Sequence, residues 1–248
     1  MTGGSGVLAD AELAAKKRSD LPVRVASAVV MVAVAGGAFW LGGWFLVCFI
    51  VAVGLGIFAE WTALVLAFEP RWWARCLWQA AGLGYIGLAC AAALSPQLPP
   101  GQLLAVVLSV IAVDVGAYFA GRTFGGPKIA PAISPSKTWS GLLGGVLAAS
   151  AFYLVIAYII ARVFSDLGVG EVSIRQVYRW GSAVAMGTLT AIIAQSGDFF
   201  ESWMKRRAGV KDSGRLIPGH GGLFDRADGL LAVLFTIGIL IVISSPRA

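Results

Sequence analysis

The chain has 248 residues, of which 58% are hydrophobic and only 13% are charged, and its mean hydropathy is +0.82. Because ordinary soluble domains contain roughly 25% charged residues, this composition excludes a water-soluble fold and predicts a protein surrounded by lipid. A net charge of +6 would indicate a nucleic-acid partner only if the basic residues were clustered on one face of a soluble domain. Here the basic residues lie between apolar segments, so no nucleic-acid partner is expected.

Seven apolar segments are long enough to cross a membrane, which takes roughly 20 helical residues. Residues 1–21, which precede them, are expected to form a loose cytoplasmic tail, and residues 22–248 a single transmembrane domain. The second segment is long enough to be broken, so the predicted fold class is an all-α, polytopic transmembrane helical bundle of seven or eight spans. The predicted spans are residues 22–40, 43–67, 74–94, 102–121, 139–164, 180–200 and 229–245.

Basic residues are distributed unevenly between the segments that connect these spans. With seven spans and a cytoplasmic N-terminus, 15 of the 19 Lys and Arg residues fall on the cytoplasmic side. Since short cytoplasmic loops carry the excess of Lys and Arg, the sequence predicts this orientation in the cell (inner) membrane. The residues on the other side are Arg162, Arg175, Arg179 and Arg247.

Two carboxylates fall inside the predicted spans of the N-terminal half. An ionisable side chain within a span is costly and indicates a function unless a simpler explanation exists. Glu60 lies near the cytoplasmic end of its span, so the simpler prediction is that its carboxylate reaches the membrane interface. Asp114 lies deeper, where it forms either a buried salt bridge, to Arg122 or to a partner helix, or part of a functional site.

Two long cytoplasmic segments, residues 122–137 and 201–228, combine Gly, Pro, Ser and charges of both signs. Polar loops of this length in a compact protein are usually functional, and both face the same side, so they are expected to build one site at the cytoplasmic face. In the first, Ser134, Lys137 and Thr138 supply hydroxyl, ammonium and helix N-terminal donors that suit a phosphate. The alternative is an interfacial lysine beside ordinary helix caps.

A third carboxylate, Asp198, lies at membrane depth in a helix that is expected to continue past the membrane face. On such a helix Asp198, Ser202 and Lys205 share one face. Glu201 and Lys205 are then four residues apart, and this spacing has an ordinary explanation as an ion pair on the helix surface.

The second polar segment ends in a Gly-rich turn, residues 218–222, which prevents helix and lets backbone N–H groups approach an anion. Asp225 and Asp228 follow, and helix capping accounts for only one of them. Carboxylates together with substrate phosphates suit Mg²⁺. Zinc is not expected, because the sole histidine, His220, and cysteines inside apolar segments make no zinc site. His220 is either a turn residue or a participant in chemistry.

Residues 196–229, from Ser-Gly-Asp-Phe-Phe-Glu-Ser through Lys-Asp-Ser-Gly to Pro-Gly-His-Gly-Gly-Leu-Phe-Asp-Arg-Ala-Asp-Gly, resemble the signature of the phosphatidate cytidylyltransferase family. Residues 114–139, from Asp-Val-Gly-Ala-Tyr to Ile-Ser-Pro-Ser-Lys-Thr-Trp, are similar to a second motif of that family. Val115, Ser140 and Phe224 stand where the family commonly has Thr, Glu and Leu. The missing carboxylate at 140 argues against an essential acid there.

The resemblance implies that residues 22–248 are a catalytic domain that transfers CMP from CTP to phosphatidate, giving CDP-diacylglycerol and pyrophosphate in phospholipid biosynthesis. It implies Mg²⁺ as cofactor, a second cation and a homodimer being left open. The implied metal ligands are Asp198, Asp225 and Asp228. The candidates for catalysis are Lys205, Arg206, Lys211, Asp212, His220 and Arg226, and those for substrate binding are Asp114, Ser134, Lys137, Thr138, Ser202, Gly221 and Gly222.

Two other functions are compatible with a polytopic protein that carries acids in its spans. A related CTP-using kinase of polyprenol or phytol would be expected to have a longer and different cytosolic motif. A transporter or channel would use Asp114 and Asp198 as ion sites and would need acids along a path across the bilayer. The candidate residues of this sequence instead cluster on one side.

Overall fold

The computed structural model describes residues 4–166 and 180–245 as seven α-helices and one short β-hairpin. The strands β1 (Lys128–Ala130) and β2 (Ser134–Thr138) pair antiparallel. The all-α prediction is confirmed, and within the described ranges this hairpin is the only sheet. The helices are α1 (Gly4–Leu41), α2 (Gly43–Phe68), α3 (Trp72–Ala93), α4 (Pro100–Phe124), α5 (Trp139–Asp166), α6 (Trp180–Arg207) and α7 (Phe224–Ser244).

Each of the seven helices contains a segment that is long and apolar enough to cross a membrane. Helices suit this environment because every backbone N–H and C=O within the hydrocarbon must find its partner inside the protein. The second span is continuous over Gly43–Phe68, so the count in the described part of the chain is seven, not eight. Three of the residues predicted on the far side, Arg175, Arg179 and Arg247, lie outside the described residues.

Two segments differ from the sequence prediction. The first helix begins at Gly4, so most of the predicted loose tail continues α1; its many Ala, Leu and Lys residues favour helix. Between α4 and α5, part of the predicted loop forms the β-hairpin. Pro127, Pro131 and Pro135 cannot continue a helix, and the strand pairing satisfies backbone groups that a helix would otherwise bond.

The core at the polar end of the bundle surrounds Trp61 of α2, which is 1% exposed. Its ring centroid lies 5.7 Å from that of Phe200 on α6 and 6.1 Å from that of Phe224 on α7. The indole N–H donates to the carbonyl oxygen of Trp78 on α3, at 3.1 Å. One buried side chain thus fixes four helices at the end where the polar segments lie.

The two polar segments meet at the same end of the bundle, as the sequence predicted. Arg206 at the end of α6 donates from Nε to the carbonyl oxygen of Ile133 in the hairpin turn, at 3.4 Å. The ammonium group of Lys137 on β2 forms an ion pair with the Asp198 carboxylate on α6. The hairpin therefore lies against α6 beside the second polar segment.

Candidate active site

Two rows of carboxylates face each other where α6 passes α7. Asp198 and Glu201 lie one helical turn apart on α6, and Asp225 and Asp228 lie one turn apart on α7, so each pair shares a helix face. Asp198 lies beside Asp228, and Glu201 lies beside Asp225. The side chains of Asp198, Glu201 and Asp225 are 14%, 1% and 10% exposed. The result is a concentration of negative charge with little access to water.

The rows can approach because Gly197 and Gly229 stand at the crossing of α6 and α7. A Cβ atom at Gly197 would collide with the backbone oxygen of Asp228 and would lie 2.8 Å from Cβ of Ala232. At Gly229 a Cβ atom would lie 3.3 Å from an oxygen of Asp198. Glycine at these positions therefore sets the separation of the two rows.

Replacing Gly197 by Ala should force α6 and α7 apart and destabilise the protein by about 1–3 kcal/mol, as overpacking does in a close-packed interior. The thermal midpoint in detergent should fall, and activity should fall with it. Gly84→Ala is the matched control, because a Cβ atom at this helical glycine has no neighbour within 4 Å. Equal midpoints for the two variants would contradict the assignment.

Two lysines partly neutralise the rows. Lys205 Nζ lies 2.5 Å from Glu201 Oε2 and 2.6 Å from Asp225 Oδ1, and Lys137 pairs with Asp198. Burial works to lower the pKa of Lys137, but the Asp198 carboxylate outweighs it and holds that pKa above its usual value. Lys137 is therefore charged at neutral pH. The cluster still contains two more carboxylates than ammonium groups.

The pair formed by Glu201 and Lys205 has the predicted spacing, but its predicted place on the helix surface is wrong. Glu201 is 1% exposed because α7 and its N-terminal loop cover this face of α6. One of its carboxylate oxygens has no hydrogen-bond partner among the described residues. The pair belongs to the polar site.

Residues 208–223, termed here the Gly-rich loop, are anchored on the carboxylate of Asp225. Its Oδ2 accepts N–H groups of Ser213 and Gly222, both at 2.9 Å. Gly221, which directly precedes Gly222, has a φ of 86°, a backbone conformation that favours glycine. The predicted non-helical turn is confirmed.

Contrary to the prediction, the carboxylate of Glu60 is buried and is not exposed at the polar end of the bundle. It is 5% exposed and accepts three hydrogen bonds. Its Oε2 accepts Ser213 Oγ at 2.9 Å and Phe224 N at 2.8 Å, and its Oε1 accepts Leu223 N at 3.0 Å. The prediction failed because these donors come from a segment more than 150 positions later in the chain. The signal present in the sequence was an acid inside an apolar span.

A polar cavity of about 320 Å³ lies between α4, β2, α5 and α6, next to the ion pair of Lys137 and Asp198. Asp114 and Arg122 both line it and, within the described chain, form no salt bridge with each other. Thr138 Oγ1 accepts the N–H of Gly141 at 3.1 Å, as a helix cap does. The lining residues are Asp114, Ala117, Tyr118, Gly121, Arg122, Ser136, Lys137, Thr138, Gly141 and Gln195.

Comparison with known proteins identifies the class of enzyme to which this geometry belongs. Residues 83–244, which include both polar segments, match the model of the cytidylyltransferase family. The chain belongs to the cytidylyltransferase family. It is 35% identical to the phosphatidate cytidylyltransferase of Brucella suis, over 86% of this chain and 90% of the relative. It is 33% identical to the phosphatidate cytidylyltransferase of Rickettsia felis, over 91% of this chain and 96% of that protein.

The match to the cytidylyltransferase family confirms the resemblance inferred from the two motifs. A third relative, the phosphatidate cytidylyltransferase of Haemophilus influenzae, is 43% identical over 53% of this chain and 42% of its own length. This cytidylyltransferase is therefore a nucleotidyltransferase. In the ranges that the structure describes, its polar site lies at one end of a bundle of seven helices that are long and apolar enough to cross a membrane.

Other predicted residues of this cytidylyltransferase lie around the carboxylate rows and, within the part of the chain that the structure describes, form no salt bridge with them. His220 Nδ1 shares a hydrogen bond of 2.8 Å with Ser27 Oγ on α1. Arg226 donates from Nη2 to the carbonyl oxygen of His220, at 2.8 Å. Lys211 and Asp212 are exposed on the Gly-rich loop. Their placement is that of residues at the rim of the site.

Three of the remaining substrate-binding candidates of the cytidylyltransferase are partly or fully buried. Ser134 is buried at the start of β2, and Ser202 is half-buried on α6. Gly222 is buried and already donates its N–H to Asp225. Sequence reasoning missed Ser213 and Gln195, which are 6% and 4% exposed. Neither type of residue signals a site unless its neighbours in space are known.

Proposed function

We propose that the protein transfers CMP from CTP to phosphatidate, producing CDP-diacylglycerol and pyrophosphate for phospholipid biosynthesis. The observation that carries the proposal is the pair of carboxylate rows at the crossing of α6 and α7, faced by Lys137 and Lys205. The relatives from Brucella suis and Rickettsia felis, which align over most of the chain, are named for this activity.

In the proposed reaction a phosphate oxygen of phosphatidate attacks the α-phosphorus of CTP. A new P–O bond forms, and the bond from the α-phosphorus to the bridging oxygen of the β-phosphate breaks, releasing pyrophosphate. Phosphate monoesters have a second pKa of about 6, so the attacking group is largely ionised at neutral pH and needs little help from a base. The obstacle is repulsion between anions, so catalysis is mainly positioning and charge neutralisation.

Cationic side chains of this chain supply part of that neutralisation. Lys137 and Lys205 lie at the carboxylate rows, and Arg206, Lys211 and Arg226 surround them as further candidates for the triphosphate or the lipid phosphate. Other proposed contacts are the hydroxyls of Ser134, Thr138 and Ser202, the backbone N–H of Gly221, Asp114 in the cavity, and Asp212 and His220 in the Gly-rich loop. The N–H of Gly222 is not among them, because it already donates to Asp225.

The carboxylates fit Mg²⁺ by their chemistry. Within the described residues, no group of three or more His, Cys, Asp or Glu side chains is arranged to hold a metal ion. Mg²⁺ does not require one, because it is usually held by one or two carboxylates together with substrate phosphates. Asp198 and Asp228 lie side by side, and Asp225 is proposed as a third ligand. Bound there, Mg²⁺ would neutralise phosphate oxygens that these side chains cannot neutralise themselves.

The site is proposed to face the cytoplasm from the cell membrane, where CTP is available. Support comes from the excess of Lys and Arg at the end of the bundle that carries the two polar segments. Acyl chains of phosphatidate would enter from the surrounding lipid, between helices. A homodimer stays a prediction, to be checked by mass measurement in detergent.

Purified protein incubated with radiolabelled CTP, phosphatidate and Mg²⁺ should form lipid-linked CMP, and chelation of the metal should stop the reaction. In sealed inverted membrane vesicles, external CTP should be consumed, whereas right-side-out vesicles should leave it intact. Absence of lipid-linked CMP would reject the transferase proposal. An ion flux without transfer would favour the transporter instead.

A further inference from the structure

We propose that Glu60 is a positioning residue of the active site. Its buried carboxylate holds the Gly-rich loop against the start of α7 and thereby fixes the carboxylate of Asp225. The inference deepens the proposed function and rests on it, because Asp225 is one of the proposed metal ligands.

Glu60 is a helix cap supplied from another helix. The first N–H groups of an α-helix have no partner within that helix, and Leu223, at the N-cap of α7, provides no side-chain cap. Glu60 of α2 accepts the N–H groups of Leu223 and Phe224, one on each of its oxygens, at 3.0 and 2.8 Å. A carboxylate at a helix N-terminus also complements the helix dipole.

The Gly-rich loop is shaped around this carboxylate. A Cβ atom at Gly222 would lie 2.5 Å from Glu60 Oε2, and one at Gly214 would lie 2.6 Å from Glu60 Cδ. These two glycines leave room for the carboxylate and for little else. The loop therefore closes on Glu60 from both sides.

Ser213 connects Glu60 to Asp225. Its hydroxyl donates to Glu60 Oε2 at 2.9 Å. The hydroxyl oxygen, Ser213 Oγ, also accepts the backbone N–H of Asp225, at an N···O distance of 3.3 Å. The N–H of Ser213 in turn donates to Asp225 Oδ2 at 2.9 Å. Moving Glu60 would move Ser213, and with it one of the two N–H groups that hold Oδ2.

Glu60 acts through these neighbours, because it stands outside the two carboxylate rows where the cation is proposed to bind. Its hydrogen bonds go to Ser213, Leu223 and Phe224, whereas Asp225 also faces Lys205 across the crossing of α6 and α7. With 5% of the residue exposed, Glu60 has no free surface for substrate. Its contribution is the geometry of Asp225.

Glu60→Gln tests the inference, because an amide cannot accept at both positions and places an NH₂ group against a backbone N–H. We expect the Mg²⁺ concentration for half-maximal CMP transfer to rise about 10-fold or more, the range found when outer partners of metal ligands are removed. Hydrogen exchange of residues 211–224, measured on the metal-free full chain, should become faster. Ser213→Ala should change both quantities in the same direction. In the double variant, the fold-increase of the Mg²⁺ requirement should be smaller than the product of the fold-increases in the two single variants.

Glu69→Gln is the matched control. Glu69 is also a buried glutamate of this end of the bundle, 8% exposed. Its carboxylate pairs with Arg71 at 2.9 Å, and among the described residues no hydrogen bond joins it to the Gly-rich loop. Its half-saturating Mg²⁺ concentration should equal that of the unmodified protein. Loss of activity in Glu60→Gln at an unchanged Mg²⁺ requirement would indicate a merely structural role and overturn the inference.

Two further outcomes are decisive. If Glu60→Gln does not fold, Ser213→Ala carries the test, and an unchanged Mg²⁺ requirement in that variant overturns the inference. If the unmodified protein transfers no CMP, the proposed function fails by itself. Hydrogen exchange then still decides the structural part. Faster exchange of residues 211–224 in Glu60→Gln supports the inference that Glu60 holds the Gly-rich loop, and unchanged exchange overturns it.

Discussion

Asp198→Asn should lower the rate of CMP transfer by roughly 10²–10³-fold, the range seen when one preorganised electrostatic contact is removed from an active site. The replacement keeps the shape of the side chain and removes its charge. Lys137 then loses its ion-pair partner, and the proposed cation loses a ligand. Transfer should be measured with radiolabelled CTP at saturating phosphatidate.

The fold of Asp198→Asn should be intact, because the lost charge also repelled that of Asp228, which lies beside it. Thermal midpoints in detergent should therefore be close to that of the unmodified protein. Glu69→Gln removes a buried negative charge from the same end of the bundle and should keep full activity. An Asp198→Asn variant that retains a tenth or more of the activity would refute the role of this carboxylate.

Asp225→Asn should cause a comparable loss of transfer, again roughly 10²–10³-fold, together with a measurable loss of stability. The carboxylate accepts from Lys205 on one oxygen and from two loop N–H groups on the other. An amide has one acceptor, so it cannot serve both sides. Leaving buried donors unpaired costs about 1–3 kcal/mol, which should appear as a lower thermal midpoint.

Hydrogen exchange distinguishes the two aspartate variants. Residues 211–223 should exchange faster in Asp225→Asn, because Ser213 and Gly222 lose their acceptor. In Asp198→Asn the same amides should exchange at the normal rate. Asp198 accepts from Lys137 of the hairpin, and no hydrogen bond between described residues joins its side chain to the Gly-rich loop. Equal exchange in both variants would contradict the anchoring role of Asp225.

The membrane bundle could be predicted from sequence because lipid imposes one strong requirement. Each span must be a long apolar helix, and the seven predicted segments each fall on an observed helix. The hairpin at Lys128–Thr138 was missed, because its strands are three and five residues long and its pairing depends on prolines that forbid helix. Short irregular structure carries no comparable signal.

The candidate site was predictable only as far as motifs reach. Asp198 stood out because acids in spans are rare, and Asp225 and Asp228 stood out because helix capping accounts for only one of them. The pairing of Lys137 with Asp198 joins residues that are 61 positions apart, and no spacing rule predicts it. The exposure of Glu60 and Glu201 was predicted wrongly for the same reason. Whether a carboxylate near the membrane face is exposed to water or buried depends on which distant segment of the chain covers it.

The position of Lys137 before α5 affects the insertion of the helices into the membrane during synthesis. Proteins emerge from the ribosome N-terminal end first, and the hairpin precedes α6 in the chain. A carboxylate such as Asp198 is costly to insert into a bilayer alone, by about 2.5–3.5 kcal/mol at the centre of a span. Because its counterion has already been synthesised when α6 appears, biogenesis of this enzyme need never expose Asp198 to hydrocarbon without a partner.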